Sequence, residues 1–248
     1  MHPNLTCSQY ANAFQEIYQE RLLESPHDPL NRSVLKAAGK TASLLELIEV
    51  WTTIGNECGD AIVSEVLASS HPNYSRLMDL PLKDMMKSMA LEAACREWSG
   101  PPEKFTLLLE RLFQTADVRE QQLIVLVLPL LKLPGRFVHI ASEATRTNIV
   151  PVFSSLALQN PFPAEHFSEN QWNQMVLKTV FVGCDITEIV GMHERHNPAL
   201  AETIFQYVSE RQSANRTVPR AVVELCEKGL GEASQLQLNA IRPELLLE

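Results

Sequence analysis

The stretch that decides the fold runs from Glu143 to Phe181 and reads EATRTNIVPVFSSLALQNPFPAEHFSENQWNQMVLKTVF. It places charged, amide and imidazole side chains inside segments that are otherwise apolar enough to be buried. Such polar groups are costly to bury unless they pair with one another or meet a ligand. The stretch is therefore either the polar lock of a helical core or the lining of a site.

The last part of this stretch predicts a central helix that begins after Ser168. A helix that is apolar on nearly all sides is a buried one, and the apolar residues here are Trp172, Met175, Val176, Leu177, Val180, Phe181 and Val182. We therefore expect Trp172 and Phe181 to be core residues. A lysine in such surroundings needs a partner, so we expect Lys178 to form an ion pair with a carboxylate, and Glu143 is the candidate.

The preceding helix carries three charged or ionisable residues on one face. His139, Glu143 and Arg146 share that face at helical spacing, opposite an apolar stripe. A charge triplet of this kind is ordinary on a solvated surface, and it equally fits the wall of a cleft that faces the Lys178 helix. The pattern leaves both interpretations open.

The segment from Gln159 to His166 is predicted to be a loop stiffened by Pro161 and Pro163. Asn160 and His166 offer a hydrogen bond or a proton to a ligand. Asn and His in loops more often satisfy backbone groups, and that interpretation is kept beside the first. The candidate ligand-binding residues of the whole region are Glu143, Arg146, Asn148, Asn160, His166, Asn173, Gln174 and Lys178.

Metal binding has weaker support in the sequence. His193 and His196 are spaced as two metal ligands can be, but no cysteine or carboxylate array stands near them at ligand spacing. Capping of the adjacent helix is the favoured interpretation of this pair. The sequence therefore predicts no metal centre and no cofactor.

Helical periodicity continues through the rest of the chain, and no convincing strand pattern is present. One-sided apolar faces occur in Tyr10–Leu22, Phe105–Phe113 and Leu200–Val208, whereas Leu44–Ile54 and Met85–Trp98 are predicted to be more deeply buried helices. Helix starts are predicted at the polar caps Asp28, Asp117, Ser168, Asp185 and Asn197. Helix ends are predicted at Gly183, Gly191 and Gly229.

These elements predict an all-α fold. Successive amphipathic helices with short connections must stack on their neighbours to bury their apolar faces. We expect stacked helix pairs, either HEAT-like or in an irregular helical bundle. No long linker divides the chain, so a single domain over residues 1–248 is expected.

Composition excludes several classes of protein. The 248 residues carry a formal charge of −9 without a Lys/Arg cluster, so nucleic acid is not an expected partner. The five cysteines form no CxxC pair and the first residues do not resemble a secretory signal, so a cytoplasmic location is expected. No apolar run approaches the ~18 residues of a membrane span. Nucleotide-binding, serine-hydrolase and zinc-protease motifs are also absent.

Six short blocks in this region form a set: RTN (146–148), VPVF (150–153), NPFP (160–163), HF (166–167), WNQMVLK (172–178) and FVG (181–183). Together with a later helix through Tyr207 and Arg211, they resemble the signature region of EboA-type proteins. The resemblance covers roughly residues 105–230, and WNQMVLK is its most specific run.

The resemblance implies a pathway and not a reaction. EboA proteins are encoded in bacterial clusters, cyanobacterial ones included, beside a UbiA-like prenyltransferase, a sugar-phosphate-cyclase-like protein and metal-dependent hydrolase-like proteins. Such clusters are associated with making or exporting a specialised metabolite, including the precursor of a sunscreen pigment. The implied partners are other proteins of that pathway and an apolar or prenylated small molecule.

Two hypotheses follow from the residues and the resemblance. The first is a non-catalytic helical protein that docks pathway enzymes or carries a prenylated intermediate. The second is an α-helical enzyme in which Glu143, Arg146, His166 and Lys178 act on a cyclitol or prenylated substrate. The first is favoured because the sequence shows no acid/base or metal constellation, and a closed pocket that joins two or more of those residues would favour the second.

Overall fold

The computed structural model describes residues 6–24, 46, 49–51, 53–54, 80–227, 229–238 and 246–247. The fold is all-α, as the sequence predicted. Residues 46, 49–51 and 53–54 are helical, in agreement with the helix predicted over Leu44–Ile54. The predicted cap at Asp28 lies outside the described residues. Among the described residues, no helix is long and apolar enough to cross a membrane.

The helices follow one another with short connections. The α-helices, in chain order, are α1 (Cys7–Glu24), α2 (Leu82–Glu97), α3 (Pro102–Thr115), α4 (Val118–Val127), α5 (Val138–Arg146), α6 (Val150–Ala157), α7 (Phe162–His166), α8 (Glu169–Val182), α9 (Pro198–Ser213), α10 (Arg220–Glu227) and α11 (Glu232–Leu238). Single turns of 3₁₀-helix span Leu128–Leu130, Pro134–Phe137 and Ile186–Glu188. Two two-residue strands, β1 (Val218–Pro219) and β2 (Leu246–Leu247), pair in parallel.

Most of the predicted caps are present and explain where the helices begin. Ser168 Oγ accepts from the Gln171 backbone N–H while Gln171 Oε1 accepts from the Ser168 N–H, a reciprocal pair that starts α8. Asn197 and Asp117 start α9 and α4 in the simpler way. Gly183 ends α8 with φ 76°, a left-handed conformation that glycine adopts without strain.

Two predicted boundaries differ in kind. Asp185 Oδ1 accepts from the backbone N–H of Thr187, two residues on, and it therefore starts a three-residue 3₁₀ turn in place of an α-helix. Gly191 also has positive φ, but it lies in a turn and does not end a helix. A Cβ there would stand 2.7 Å from the Ala164 Cβ, so glycine allows this turn to approach α7 closely.

The buried faces follow the predicted periodicity. The apolar residues of α3 that are buried are Phe105, Leu108, Leu109, Leu112 and Phe113. Those of α9 include the predicted Leu200, Ile204, Phe205 and Val208. In α1 the residues Tyr10, Ala13 and Phe14 are buried, and the rest of the predicted α1 face falls outside the side chains that the structure describes.

Helix α6 lies at the centre of the packing. It contacts α4, α5 and α8, and α8 in turn contacts α9. One contiguous hydrophobic cluster extends from Trp51 to Leu238 through these helices. Because α5, α6 and α8 share this core, the polar residues of the 143–181 stretch are held by well-packed elements.

The prediction for the two aromatic residues of α8 is half right. Trp172 is fully buried, as expected. Phe181 is 63% exposed, and the expectation that it belongs to the core is wrong. It stands one turn from the end of α8, where its ring packs edge-to-face on Tyr207 of α9, with 5.0 Å between the ring centroids. Apolar character around a whole helix does not bury a side chain that the neighbouring helices fail to reach.

Candidate functional site

A cleft of about 340 Å³ lies between α3 and α5. Its wall combines ionisable, amide and apolar side chains, which are Glu110, Phe113, Gln114, Gln121, His139, Ile140, Glu143, Arg146, Thr147 and Ile149. The three charged residues that the sequence placed on one face of α5 all line it. Among its lining residues none comes from α8, so the expectation that this face looks toward the Lys178 helix is wrong.

Ionisable groups occupy the rim of this α3–α5 cleft. His139 Nδ1 lies 3.4 Å from Glu110 Oε1, and Arg146 Nη1 donates to Glu143 Oε1 at 2.7 Å. His139 and Arg146 are exposed. Exposed ion pairs contribute little to stability, so these side chains are free to exchange their partners for groups on a ligand.

The floor of the cleft is apolar. Phe113 and Ile140 are buried beneath the ionisable rim, and Ile149 is an exposed apolar residue at its edge. A small-molecule site typically combines an apolar wall with a few convergent polar groups. The cleft thus suits a molecule that has hydroxyl or carbonyl groups at one end and a hydrocarbon part at the other.

Lys178 is held by backbone carbonyls. Its ammonium donates to Thr145 O and Thr147 O, both at 2.6 Å, and lies 4.8 Å from the centroid of the Phe153 ring. The predicted pair with Glu143 is therefore wrong, because that carboxylate accepts from Arg146 on the outer side of α5. Burial lowers the pKa of Lys178, and the two carbonyl dipoles offset this effect because they stabilise the charged form.

The position of Lys178 explains its role. The last carbonyl groups of an α-helix have no partner within the helix, and Thr145 and Thr147 stand at the end of α5. A cation near a helix C-terminus also interacts favourably with the helix dipole. Lys178 therefore fastens the end of α5 to α8.

We expect Lys178→Met to lower the free energy of unfolding by about 1.5–3 kcal/mol, because methionine fills the space but cannot donate to the two carbonyls. Urea unfolding followed by circular dichroism measures the change. Lys104→Met on the exposed face of α3 is the matched control and should leave stability nearly unchanged. Equal stability of the Lys178→Met variant and the wild type would contradict the anchoring role.

The other candidate residues are dispersed. Asn160 is buried and bonded to backbone groups of three segments. The Asn173 and Asn197 side chains bond to each other reciprocally, which connects α8 to the start of α9. Gln174 and Asn148 are exposed. Glu143 and Arg146 are thus the members of the predicted set that meet in the α3–α5 cleft.

His166 belongs to a different place in the molecule. Its Nε2 lies 3.9 Å from Cys7 Sγ and 3.8 Å from Glu165 Oε2. Burial lowers the pKa of His166, and burial together with the Glu165 carboxylate raises the pKa of the Cys7 thiol far above its usual range. The sequence analysis missed Cys7 and Glu165, since 159 residues separate Cys7 from His166 and no local spacing joins them.

The histidines near the start of α9 do not form a metal site with each other. His193 is exposed, whereas His196 Nε2 lies 2.7 Å from the carbonyl of Leu225 in the last turn of α10. The contact satisfies a terminal helix carbonyl, in keeping with the capping interpretation. The helix that it caps is α10, which is not adjacent to it in sequence.

These features define an all-α protein with a solvent-open cleft of small-molecule size. Residues 97–227, more than half of the chain, match the sequence model of the family described as metabolite traffic protein EboA. The chain belongs to that family, in agreement with the resemblance of its signature blocks. The α3–α5 cleft lies wholly within the matched region. Comparison with curated proteins and with solved structures found no match.

Proposed function

We propose that this protein is a non-catalytic accessory protein of metabolite traffic that binds a pathway metabolite in the α3–α5 cleft. The family supports a role in metabolite traffic. The observation that carries the proposal is the meeting of two ionisable pairs, His139 with Glu110 and Arg146 with Glu143, above an apolar floor.

The chemistry of the cleft suggests the class of ligand. Carboxylates and an imidazole at the rim accept or donate hydrogen bonds to hydroxyl groups, and Arg146 donates to a carbonyl or an acidic group. Phe113 and Ile149 offer apolar surface to a prenyl chain. The cleft volume falls within the range of about 300–1,000 Å³ that is usual for small-molecule sites. A hydroxylated ring that carries a prenyl group combines both kinds of contact.

The accessory role extends to other proteins of the same pathway. A carrier must receive its ligand from one enzyme and release it to another or to an exporter, and a solvent-open cleft permits such transfer. We place this exchange in the cytoplasm, with docked pathway enzymes as the partners.

The enzymatic alternative requires Glu143, Arg146, His166 and Lys178 to converge. Lys178 is engaged by the two carbonyls at the end of α5, and the contacts of His166 are with Cys7, Glu165 and Phe162. Glu143 and Arg146 meet in an open cleft and not in a closed one. Binding without turnover is therefore the function that we favour.

Capture from a metabolite extract tests the proposal. We expect the full-length protein, incubated with an extract of cells that contain the pathway, to retain a prenylated, hydroxylated compound detectable by mass spectrometry. Arg146→Ala should reduce its retention about fivefold or more, because a lost hydrogen bond to a charged group is worth about 1.5–3 kcal/mol. Arg220→Ala removes an arginine from another exposed helical ion pair, with Glu224, and should retain the compound fully.

Two results would contradict the proposal. Equal retention by the Arg146→Ala variant would mean that the compound binds elsewhere. Conversion of the compound to a product at a rate that depends on Glu143 and Arg146 would favour the enzymatic alternative.

A further inference from the structure

We infer that Cys7, Glu165 and His166 form a three-ligand site for Zn²⁺ or a chemically similar divalent transition metal. The inference is independent of the α3–α5 cleft. One sulfur, one carboxylate oxygen and one imidazole nitrogen from these residues all lie within 4.8 Å of one another. Cys7 lies outside the region that matches the family, so the site is a property of this chain.

The geometry is close to that of a zinc site. Zinc bonds of about 2.3 Å to sulfur and about 2.0 Å to nitrogen imply about 3.5 Å between the two ligand atoms in a tetrahedral site. The structure has 3.9 Å between Cys7 Sγ and His166 Nε2, and 3.8 Å between Glu165 Oε2 and His166 Nε2. Movements of a few tenths of an ångström would bring the three atoms onto one ion.

The donor set also suits the metal. Thiolate and imidazole are ligands that favour zinc over magnesium or calcium. A thiolate beside a carboxylate concentrates negative charge, and a divalent cation compensates both groups. A nucleophilic Cys7 is disfavoured, because burial and Glu165 keep its thiol protonated when no cation is bound.

Neighbouring contacts hold the ligands in position. Glu165 Oε1 accepts from the Cys7 backbone N–H, which leaves Oε2 to face His166. The His166 ring packs edge-to-face on Phe162, with 4.8 Å between the centroids. Arg195 donates to Pro163 O and Ala164 O and so fixes the helix that carries both α7 ligands. Such surrounding contacts orient metal ligands and strengthen binding.

A second cleft, of about 510 Å³, lies beside the three residues. It is lined by Thr6, Ser8, Ala164, Glu165, Gly191, Glu194 and Arg195. Zinc sites with three protein ligands keep a position for water or another ligand, whereas purely structural sites are closed by four. The adjoining cleft gives an exchangeable ligand access to the metal.

Metal titration of the full-length chain tests this inference. The protein is stripped with EDTA, exchanged into metal-free buffer and titrated with Zn²⁺ against a chromophoric chelator. We expect one equivalent to bind tightly. Cys7→Ser, Glu165→Gln and His166→Gln should each weaken binding by at least about 100-fold, since even the loss of a surrounding contact costs about 10–100-fold.

Two control variants separate coordination from a general loss of thiols or imidazoles. Cys226→Ser replaces another buried cysteine, and His193→Gln replaces an exposed histidine. Both should bind zinc as the wild type does. Co²⁺ provides a second readout, because a thiolate-to-cobalt charge-transfer band should appear in the wild type and in both controls but not in Cys7→Ser.

Glu165→Gln keeps the test decisive if the other variants fail to fold. Its amide oxygen still accepts from the Cys7 N–H, so the contact between α1 and α7 is retained while the anionic ligand is removed. The inference is overturned if the wild type binds no equivalent of zinc, if no thiolate band appears with cobalt, or if folded Glu165→Gln binds zinc as tightly as the wild type.

Discussion

Trp172→Ala is expected to lower the free energy of unfolding by about 3–5 kcal/mol, the usual cost of truncating a buried aromatic residue. Trp172 is fully buried in the first turns of α8, and the guanidinium of Arg195 lies 4.9 Å from its ring centroid. Its removal leaves a cavity in the core cluster and takes away that cation–π contact. The indole Nε1 has no hydrogen-bond partner among the described residues, so no such bond is lost.

Thermal and urea unfolding of matched variants measure this effect. Phe181→Ala is the control, because Phe181 belongs to the same helix and is largely exposed. We expect its cost to be about 1 kcal/mol or less, chiefly through the lost edge-to-face contact with Tyr207. If Phe181→Ala destabilises the protein as much as Trp172→Ala, the burial of these two rings is wrongly described.

The contrast between Trp172 and Phe181 shows what periodicity predicts and what it misses. Spacing identified the helices and, in α3 and α9, the residues on their buried faces. Those faces are one-sided, so the pattern itself gives their direction. Helix α8 is apolar nearly all round, and the pattern then contains no information about which side its neighbours leave uncovered.

Local hydrogen bonding was predictable for a similar reason. The capping residues Asp117, Ser168 and Asn197 act on backbone groups two or three positions away, and such contacts depend on sequence neighbours alone. Asp185 kept the predicted role of a cap, but its bond to Thr187 produces a shorter turn. A cap fixes where a turn begins and does not determine how far the helix continues.

The site was less predictable because its contacts are long-range. Lys178 was expected to pair with a side chain, yet it is bound by carbonyl oxygens, which every residue carries and which leave no signal in the sequence. Cys7 and His166 come together only after the chain has folded. Within α5 the prediction succeeded for His139, Glu143 and Arg146, since helical geometry alone places them on one face.

Asn160→Asp is expected to lower the free energy of unfolding by about 3–5 kcal/mol near neutral pH, through an uncompensated buried charge. Asn160 is 1% exposed. Its Nδ2 donates to Val125 O at 3.2 Å and to Ser155 O at 3.1 Å, while its Oδ1 accepts from the Phe162 N–H at 3.0 Å. The amide thereby joins α4, α6 and the start of α7. An ionised carboxylate would place an oxygen against two carbonyl oxygens and donate to neither.

The pH dependence of this substitution distinguishes a structural amide from a ligand-binding one. Burial should raise the pKa of the introduced carboxyl in the folded state above the value of about 3.9 expected in the unfolded state. The unfolded chain then loses the proton first, so the variant becomes progressively less stable, relative to the wild type, as pH rises above about 4. Urea unfolding at several pH values measures that difference. Asn148→Asp, at an exposed position, is the control and should show almost none. A folded Asn160→Asp variant with wild-type stability at neutral pH and impaired metabolite retention would mean that Asn160 serves a ligand and not the fold.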